Sequence, residues 1–357
     1  MRKILILRFS AMGDVLLLVP VIRSLVAAYP DVEVKVVTRP KFAAFFEGID
    51  RVLVYEADVD KKYAGFFGIR KLFMTLLARA NYSVVIDMHD HVRTMVLRSL
   101  FKLAGQKVLV FKKGRSEKKA FVRKERKIVN PLPHTVERYH EVLQRAGFDF
   151  PIVPGPYLIP SVESKTILSD WLNKNKLDKN DRWIGVAPFA LHPSKIWPIS
   201  NYPALIDSLI KKYAAKIFLF GGGETEIDYF NDLHELFPEH CIVVAGQLKL
   251  QQEIALMQQL DLMICTDSSN MHLAALSGTP LLSIWGGTHP DVGFAPYGKG
   301  KESILQISRN ELPCRPCSVF GTKTCHRGDF ACLTNISTTS VLTHIDQFLT
   351  KTEGLTR

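Results

Sequence analysis

Thr266-Asp267-Ser268-Ser269-Asn270-Met271-His272 joins an apolar run, Leu262 to Cys265, to Leu273-Ala274-Ala275 and then to Gly278-Thr279-Pro280. A buried strand, a small hydroxyl-rich turn and a helix stopped by glycine leave backbone N–H groups unpaired at the positive end of a helix dipole. That is a site suited to phosphate. His272 falls about one turn into the helix, on the side of the turn. Two readings stand on these residues alone: an anion site, or an Asp/Ser cap followed by a surface histidine.

Three further loops follow apolar runs and carry groups that could share such a site. Arg8-Phe9-Ser10-Ala11-Met12-Gly13-Asp14 comes directly after Lys3 to Leu7. Gly13 permits close backbone approach, and Asp14 stands where a helix begins, either as a cap or as a general base on a substrate hydroxyl. A helix N-terminus weakens a carboxylate as a base, and burial would offset that. The second loop, Ala190-Leu191-His192-Pro193-Ser194-Lys195-Ile196-Trp197-Pro198, fixes a lysine between prolines beside a tryptophan. That lysine either neutralises a diphosphate or is an ordinary loop cation. In the third, Gly221-Gly222-Gly223-Glu224-Thr225-Glu226, a dinucleotide fingerprint would need glycine where Glu226 stands. The triple glycine still lets a ligand rest on the backbone, with Glu224 or Glu226 accepting hydrogen bonds from a ribose or base.

The elements that must position these loops alternate in kind. Strand-like runs cover residues 3–7, 32–37, 51–55, 83–87 and 107–111, with helical patterns at 15–28 and 135–145. Four prolines, Pro151, Pro154, Pro156 and Pro160, then mark a linker, after which strands recur at 183–187, 216–221, 241–246, 262–266 and 280–285. The pattern predicts an α/β protein with two doubly wound, Rossmann-like domains facing a cleft, ligands lying outside the carboxyl ends of the strands. The expected division is 1–155, 166–335, and a C-terminal helical segment 336–357 that packs back across the cleft.

The 357 residues, 47% of them hydrophobic, suffice for two large cores. No apolar run reaches the roughly 18 residues of a membrane span, and the apolar stretch before Arg8 is too short for a signal sequence, which predicts a cytoplasmic protein with reduced thiols. The net charge of +11 is concentrated between Lys107 and Lys127, where ten basic residues meet two acids, Glu117 and Glu125. This run reads either as a solvated loop or as a contact for anionic lipid headgroups or phosphorylated sugar. Nucleic acid is not expected as a partner, because no nucleic-acid-binding motif accompanies the charges.

Taken in order, the motifs resemble glycosyltransferase family 9, the heptosyltransferases of the lipopolysaccharide inner core. The likeness runs through Ser10-x-x-Gly13-Asp14, Tyr82-Ser-Val-Val-Ile-Asp87, His134-Thr-Val-Glu137-Arg138, Lys195-x-Trp197-Pro198, the glycine loop with Glu226, and Asp267-Ser268-Ser269-x-x-His272. The resemblance implies a GT-B fold and an inverting transfer of heptose from an ADP-heptose-type donor to an anionic core glycolipid, at the surface of the inner membrane. It implies Asp14 as catalytic base, and Lys195, Glu226, Asp267, Ser268, Ser269 and His272 on the donor. Ser10, Gly13, His89 and Arg93 would face the acceptor. Ala190-Leu191 departs from the type I branch, which has a pair of threonines there.

The resemblance calls for no cofactor, and no Asp-x-Asp pair is placed to hold a catalytic metal. Cys314, Cys317, Cys325 and Cys332 form C-x2-C-x7-C-x6-C, readable as structural zinc, as disulfides or as a cluster of thiols. Three alternatives remain: a transferase of the same family that uses another nucleotide-sugar or acceptor, an NAD-dependent oxidoreductase, and a non-catalytic nucleotide-binding protein. The incomplete glycine fingerprint speaks against the oxidoreductase.

Overall fold

A computed structural model describes residues 1–123 and 130–353, with side chains described up to residue 349. The chain divides into two compact units, Met1–Gly114 with Pro133–Leu158, and Arg115–Leu132 with Ile159–Arg357.

The first unit holds a parallel sheet of β1 (Arg2–Leu7), β2 (Val32–Thr38), β3 (Val52–Glu56), β4 (Val84–Asp87) and β5 (Val108–Val110), in the order β3-β2-β1-β4-β5. The second holds β6 (Trp183–Ala187), β7 (Lys216–Leu219), β8 (Cys241–Val243), β9 (Leu262–Thr266), β10 (Leu281–Trp285) and β11 (Ile304–Gln306), also parallel, in the order β11-β10-β9-β6-β7-β8. Both orders are those of the doubly wound fold, with a reversal between the first and fourth strand of each sheet. Ile4 to Leu7 and Leu262 to Cys265 are wholly buried, as strands covered by helices on both faces must be. Each such side chain contributes about 1.5–3 kcal/mol.

Several expectations need correction. The helix read over 15–28 is two helices, Met12–Leu16 and Val19–Ala28. Pro20 lacks the N–H for a bond to Leu16, and its ring crowds that carbonyl, so the chain re-enters a helix with the proline in its first turn. Arg51 has φ 59° and lies outside β3. Strand β11 escaped the sequence reading because three residues, with only Leu305 buried, are too few to carry a periodicity. The last helix runs Thr338–Glu353, and its buried face (Val341, Ile345, Leu349) is taken up by the second unit's own core. Asp346 there pairs with Lys212 at 2.6 Å.

The basic run is not a plain solvated loop. Arg115–Phe121 is a helix belonging to the second unit, with Lys118 buried and its ammonium 4.0 Å from the Phe294 ring centroid. Phe121 is fully buried, with the Arg309 guanidinium 4.1 Å over its ring. Lys124, Glu125, Arg126 and Lys127 lie outside the described residues.

Candidate active site

In the first unit the loops leaving β1 and β4 meet where the strand order reverses. Ser10 Oγ lies 3.3 Å from His89 Nε2, so two of the residues expected on the acceptor side are in contact. Asp14 sits in the first turn of Met12–Leu16, beside Gly13, and its Oδ2 is 2.6 Å from the Arg8 guanidinium. Arg8 is itself 3% exposed and donates to the Met88 carbonyl at 2.5 Å, which joins the two loops. Arg93 is set differently, paired with Asp60 at 3.2 Å, while Arg39 holds the same carboxylate at 2.9 Å.

The turn after β4 is built on Asp87, which is fully buried. Its Oδ1 accepts from the N–H groups of His89 (2.9 Å) and Asp90 (2.8 Å), and Arg98 holds its Oδ2 at 2.8 Å. His89 is therefore fixed by its backbone, its ring stacked on His91 at 5.2 Å. Burial pushes the His89 imidazole down to about 2, helped by the charges of Arg8, Lys113, His91 and Arg39. The ring is neutral at physiological pH in a cationic neighbourhood, and among the described residues its buried Nδ1 has no hydrogen-bond partner. An anionic ligand with a hydroxyl to offer matches those surroundings.

The second unit repeats the arrangement. Lys195, from the loop after β6, and Asp267, directly after β9, form an ion pair of 3.0 Å with both side chains largely buried. Thr288, beyond β10, donates to the same Asp267 oxygen at 2.7 Å. Ser268 is the N-cap of the helix Ser269–Ser277 yet makes no capping bond, and its buried Oγ has no partner among the described residues. The N-terminus of that helix is open beside a lysine, which is what a diphosphate needs. His272 is buried in the same helix, not the surface histidine of the alternative reading. Glu226 lies on the first turn of Glu224–Leu236, and its Oε2 accepts from the Gly222 N–H at 2.9 Å. Burial raises its pKa.

Trp197 anchors the lysine loop. It is fully buried and its indole N–H donates to the Ile336 carbonyl at 2.9 Å. Ser194 and Lys195 are clasped from the other side, where Gly287 N donates to the Ser194 carbonyl (2.8 Å) and Ser194 Oγ to the Gly321 carbonyl (2.9 Å). Cys314, Cys317 and Cys325 are half-buried and Cys332 buried, all as free thiols. Among the described residues no three histidines, cysteines or acids are grouped to hold a metal. Sequence reasoning missed Arg8, Arg39, Thr288 and Arg315. The signal for Arg8 was present, since a basic residue at the inner end of a buried strand requires an anion nearby.

The family model for glycosyltransferase family 9 (heptosyltransferase) matches residues 69–322, well over half of the sequence. The chain belongs to this family. Lipopolysaccharide heptosyltransferase 3 of Escherichia coli is 26% identical over 317 residues, covering 85% of this chain and 88% of that protein. Among solved structures, the family 9 glycosyltransferase of Veillonella parvula superposes with a TM-score of 0.75 at 18% identity, over 98% of both chains. The ADP-heptose LPS heptosyltransferase II of E. coli gives 0.69 at 20% identity, over 98% of this chain and 99% of that one. The fold of this family 9 glycosyltransferase is thus the GT-B class expected from its motifs, and the oxidoreductase and non-catalytic readings fall with the assignment.

Two outcomes test the geometry. His89 has a folded-state pKa far below its unfolded value, so it contributes stability above pH ~6.5 that is lost as the pH falls from there towards 2. Urea unfolding between pH 7 and 4 should show His89→Asn flattening the acid loss by up to about 1.4 kcal/mol per pH unit. An unchanged slope would mean that His89 takes up its proton alike in the folded and the unfolded protein. Gly286 is the second case. A Cβ there would stand 2.5 Å from the Ser194 carbonyl oxygen and 2.6 Å from Leu333 Cγ, so the backbone carrying Lys195 has to move. Gly286→Ala should cost about 1–3 kcal/mol in denaturant unfolding. Gly222→Ala meets nothing within 4 Å and should leave stability nearly unchanged.

Proposed function

We propose that this enzyme transfers a heptose, with inversion, from ADP-heptose to an acceptor in the lipopolysaccharide inner core. Family membership supplies the reaction type. The observation that carries the donor assignment is the Lys195–Asp267 pair beside the open N-terminus of Ser269–Ser277, with Ser268 Oγ unpartnered. The names of the E. coli heptosyltransferases above support the ADP-heptose donor and a lipopolysaccharide acceptor.

The acceptor hydroxyl gives its proton to Asp14 as its oxygen bonds to the anomeric carbon, and the bond from that carbon to the diphosphate oxygen breaks on the opposite face. Arg8 fixes the Asp14 carboxylate through Oδ2, so the base is aimed before the acceptor arrives. Ser10 and His89 position the acceptor, and Arg93 meets its negative charge. On the donor, Lys195 and the N–H groups at Ser268 and Ser269 take up the charge that builds on the leaving ADP. Asp267 orients Lys195, His272 lies along the diphosphate, and Glu226 receives the nucleoside. An acceptor of this kind is a membrane glycolipid, so the enzyme works at the cytoplasmic face of the inner membrane as a peripheral protein.

Asp14 is the third residue of its helix, not the cap, and Asp14→Asn keeps the side chain's shape and an oxygen that can accept from the Ala11 N–H. Some stability should be lost, because buried Arg8 loses its paired charge, but ADP affinity of the folded variant should survive while turnover falls by about 10²–10⁴-fold. A folded variant with near wild-type turnover would leave Asp14 as a structural partner of Arg8 alone. Lys195→Ala removes a charge-assisted contact and should weaken ADP binding by about 1.5–3 kcal/mol in calorimetry. Unchanged donor affinity and turnover would take Lys195 out of the site.

A further inference from the structure

The helices Gly65–Leu77 and Val92–Leu103 of the first unit pack together through Phe73 and Phe101, whose ring centroids are 5.0 Å apart. A surface helix that has buried its apolar stripe normally turns a polar face outward. These two do not. On the first, Phe66 is 59% exposed, Phe67 83% and Met74 52%; on the second, Val92 is 68%, Met95 46% and Leu103 86% exposed. Positions 66, 70 and 74, and likewise 67 and 71, lie on one side of a helix, so Arg70 and Lys71 stand among the apolar side chains. On the second helix Lys102 shares a side with Met95, two turns earlier. All three cations are exposed, and among the described residues no carboxylate pairs with them.

The same stretch is almost free of acids. From Lys61 to Lys107 nine basic residues face two carboxylates, Asp87 and Asp90, and Arg98 holds both. Asp60, just before it, is taken by Arg39 and Arg93. One exposed phenylalanine needs no explanation, but six exposed apolar side chains on two neighbouring helices, interleaved with unopposed cations, do. Phenyl and aliphatic groups that enter the acyl boundary, with lysine and arginine at headgroup level, are the composition of an interfacial membrane surface. A second copy of this chain would set cations against cations across a two-fold axis.

We infer that this face docks the enzyme on an anionic lipid bilayer. Phe66, Phe67 and Met74 enter the interface while Arg70, Lys71 and Lys102 meet lipid phosphates. Both helices start at the carboxyl end of the sheet, after β3 and β4, the end that carries Ser10 and His89. A glycolipid acceptor would be taken up beside the surface in which it resides. That use rests on the function proposed above, whereas the docking itself does not.

The test uses the full chain and sedimentation with vesicles of phosphatidylglycerol and phosphatidylethanolamine that contain no acceptor. Wild-type protein should bind them and should bind pure phosphatidylcholine far less. Phe66→Ser with Phe67→Ser should weaken binding by about ten-fold or more. Arg70→Gln with Lys71→Gln should weaken it by about five-fold per charge, an effect that added salt removes. Lys112→Gln with Lys119→Gln, in the basic run, should bind as wild type. Phe67→Trp adds a gain of signal, since the fluorescence of the new indole should shift to the blue on vesicles and be quenched by brominated lipid. The inference is overturned if wild-type protein ignores anionic vesicles, if the Phe66/Phe67 variant binds undiminished, or if the indole of the Phe67→Trp variant escapes quenching. It is overturned too if those substitutions abolish a dimer in ultracentrifugation. Turnover on a delipidated acceptor reads the proposed function separately, and all these variants should retain it.

Discussion

Each sheet reverses its strand order once, and the candidate site residues gather at those two places. Helices leaving β1 and β4, or β6 and β9, go to opposite faces, so the loops between strand and helix part and leave room for a ligand. Ser10 and His89 meet at the first reversal, and Lys195 and Asp267 at the second. Register sets these meetings. Leu7 lies opposite Asp87, and Ala187 opposite Cys265, so the loops on neighbouring strands start level with one another. A slip of one residue would turn every buried side chain of a strand to the other face. The same wholly apolar strands that forbid such a slip therefore hold the polar groups in place.

At each reversal the polar groups are charged and largely buried, which is a poor way to stabilise a fold. Desolvating both members of a pair such as Arg8–Asp14 or Lys195–Asp267 offsets most of their attraction. What the pairs provide is direction. Each carboxylate has one oxygen fixed by a cation, and each cation is backed by packing, Arg8 near the Tyr139 ring and Lys195 against Gly321. Among the described residues, His89 Nδ1 and Ser268 Oγ are two of the buried groups with no hydrogen-bond partner, and they sit in loops that leave the same reversals. An arrangement that spends stability on fixed charges and keeps buried acceptors or donors unpaired is organised for a ligand.

Much of this was legible from residue types and spacing. Apolar runs of buried parallel strands stand out, and ten of the eleven strands were placed, as were the loops that bear Asp14, Lys195 and Asp267. What escaped depends on contacts between distant segments. Nothing near Asp87 announces that its side chain would build the His89 turn, and Thr288 reaches Asp267 only because β10 lies beside β9. The basic run misled for a related reason. Arg115 to Phe121 hides an amphipathic pattern in which one lysine and one phenylalanine are buried, and charge count drowns so short a signal.

The cysteine-bearing segment shows how far such support extends from the chemistry. Arg315, between Cys314 and Cys317, is 1% exposed, and its guanidinium donates to the carbonyls of Gly286 (2.7 Å), Thr288 (3.1 Å), Trp285 and Ile307. Burial pushes it down to about 10, still cationic at neutral pH. One buried cation thus gathers the carbonyls that end β10 and follow β11. The loop shaped in this way presents Thr288 to Asp267 and Gly287 to Ser194, while Cys317 and Ser318 donate back to the Gly287 carbonyl. Gly321 then closes on Lys195, where a Cβ would come 2.8 Å from its Cε. The segment from 314 to 321 supports the Lys195 loop whatever the state of its thiols, because it forms the wall against which the lysine is held.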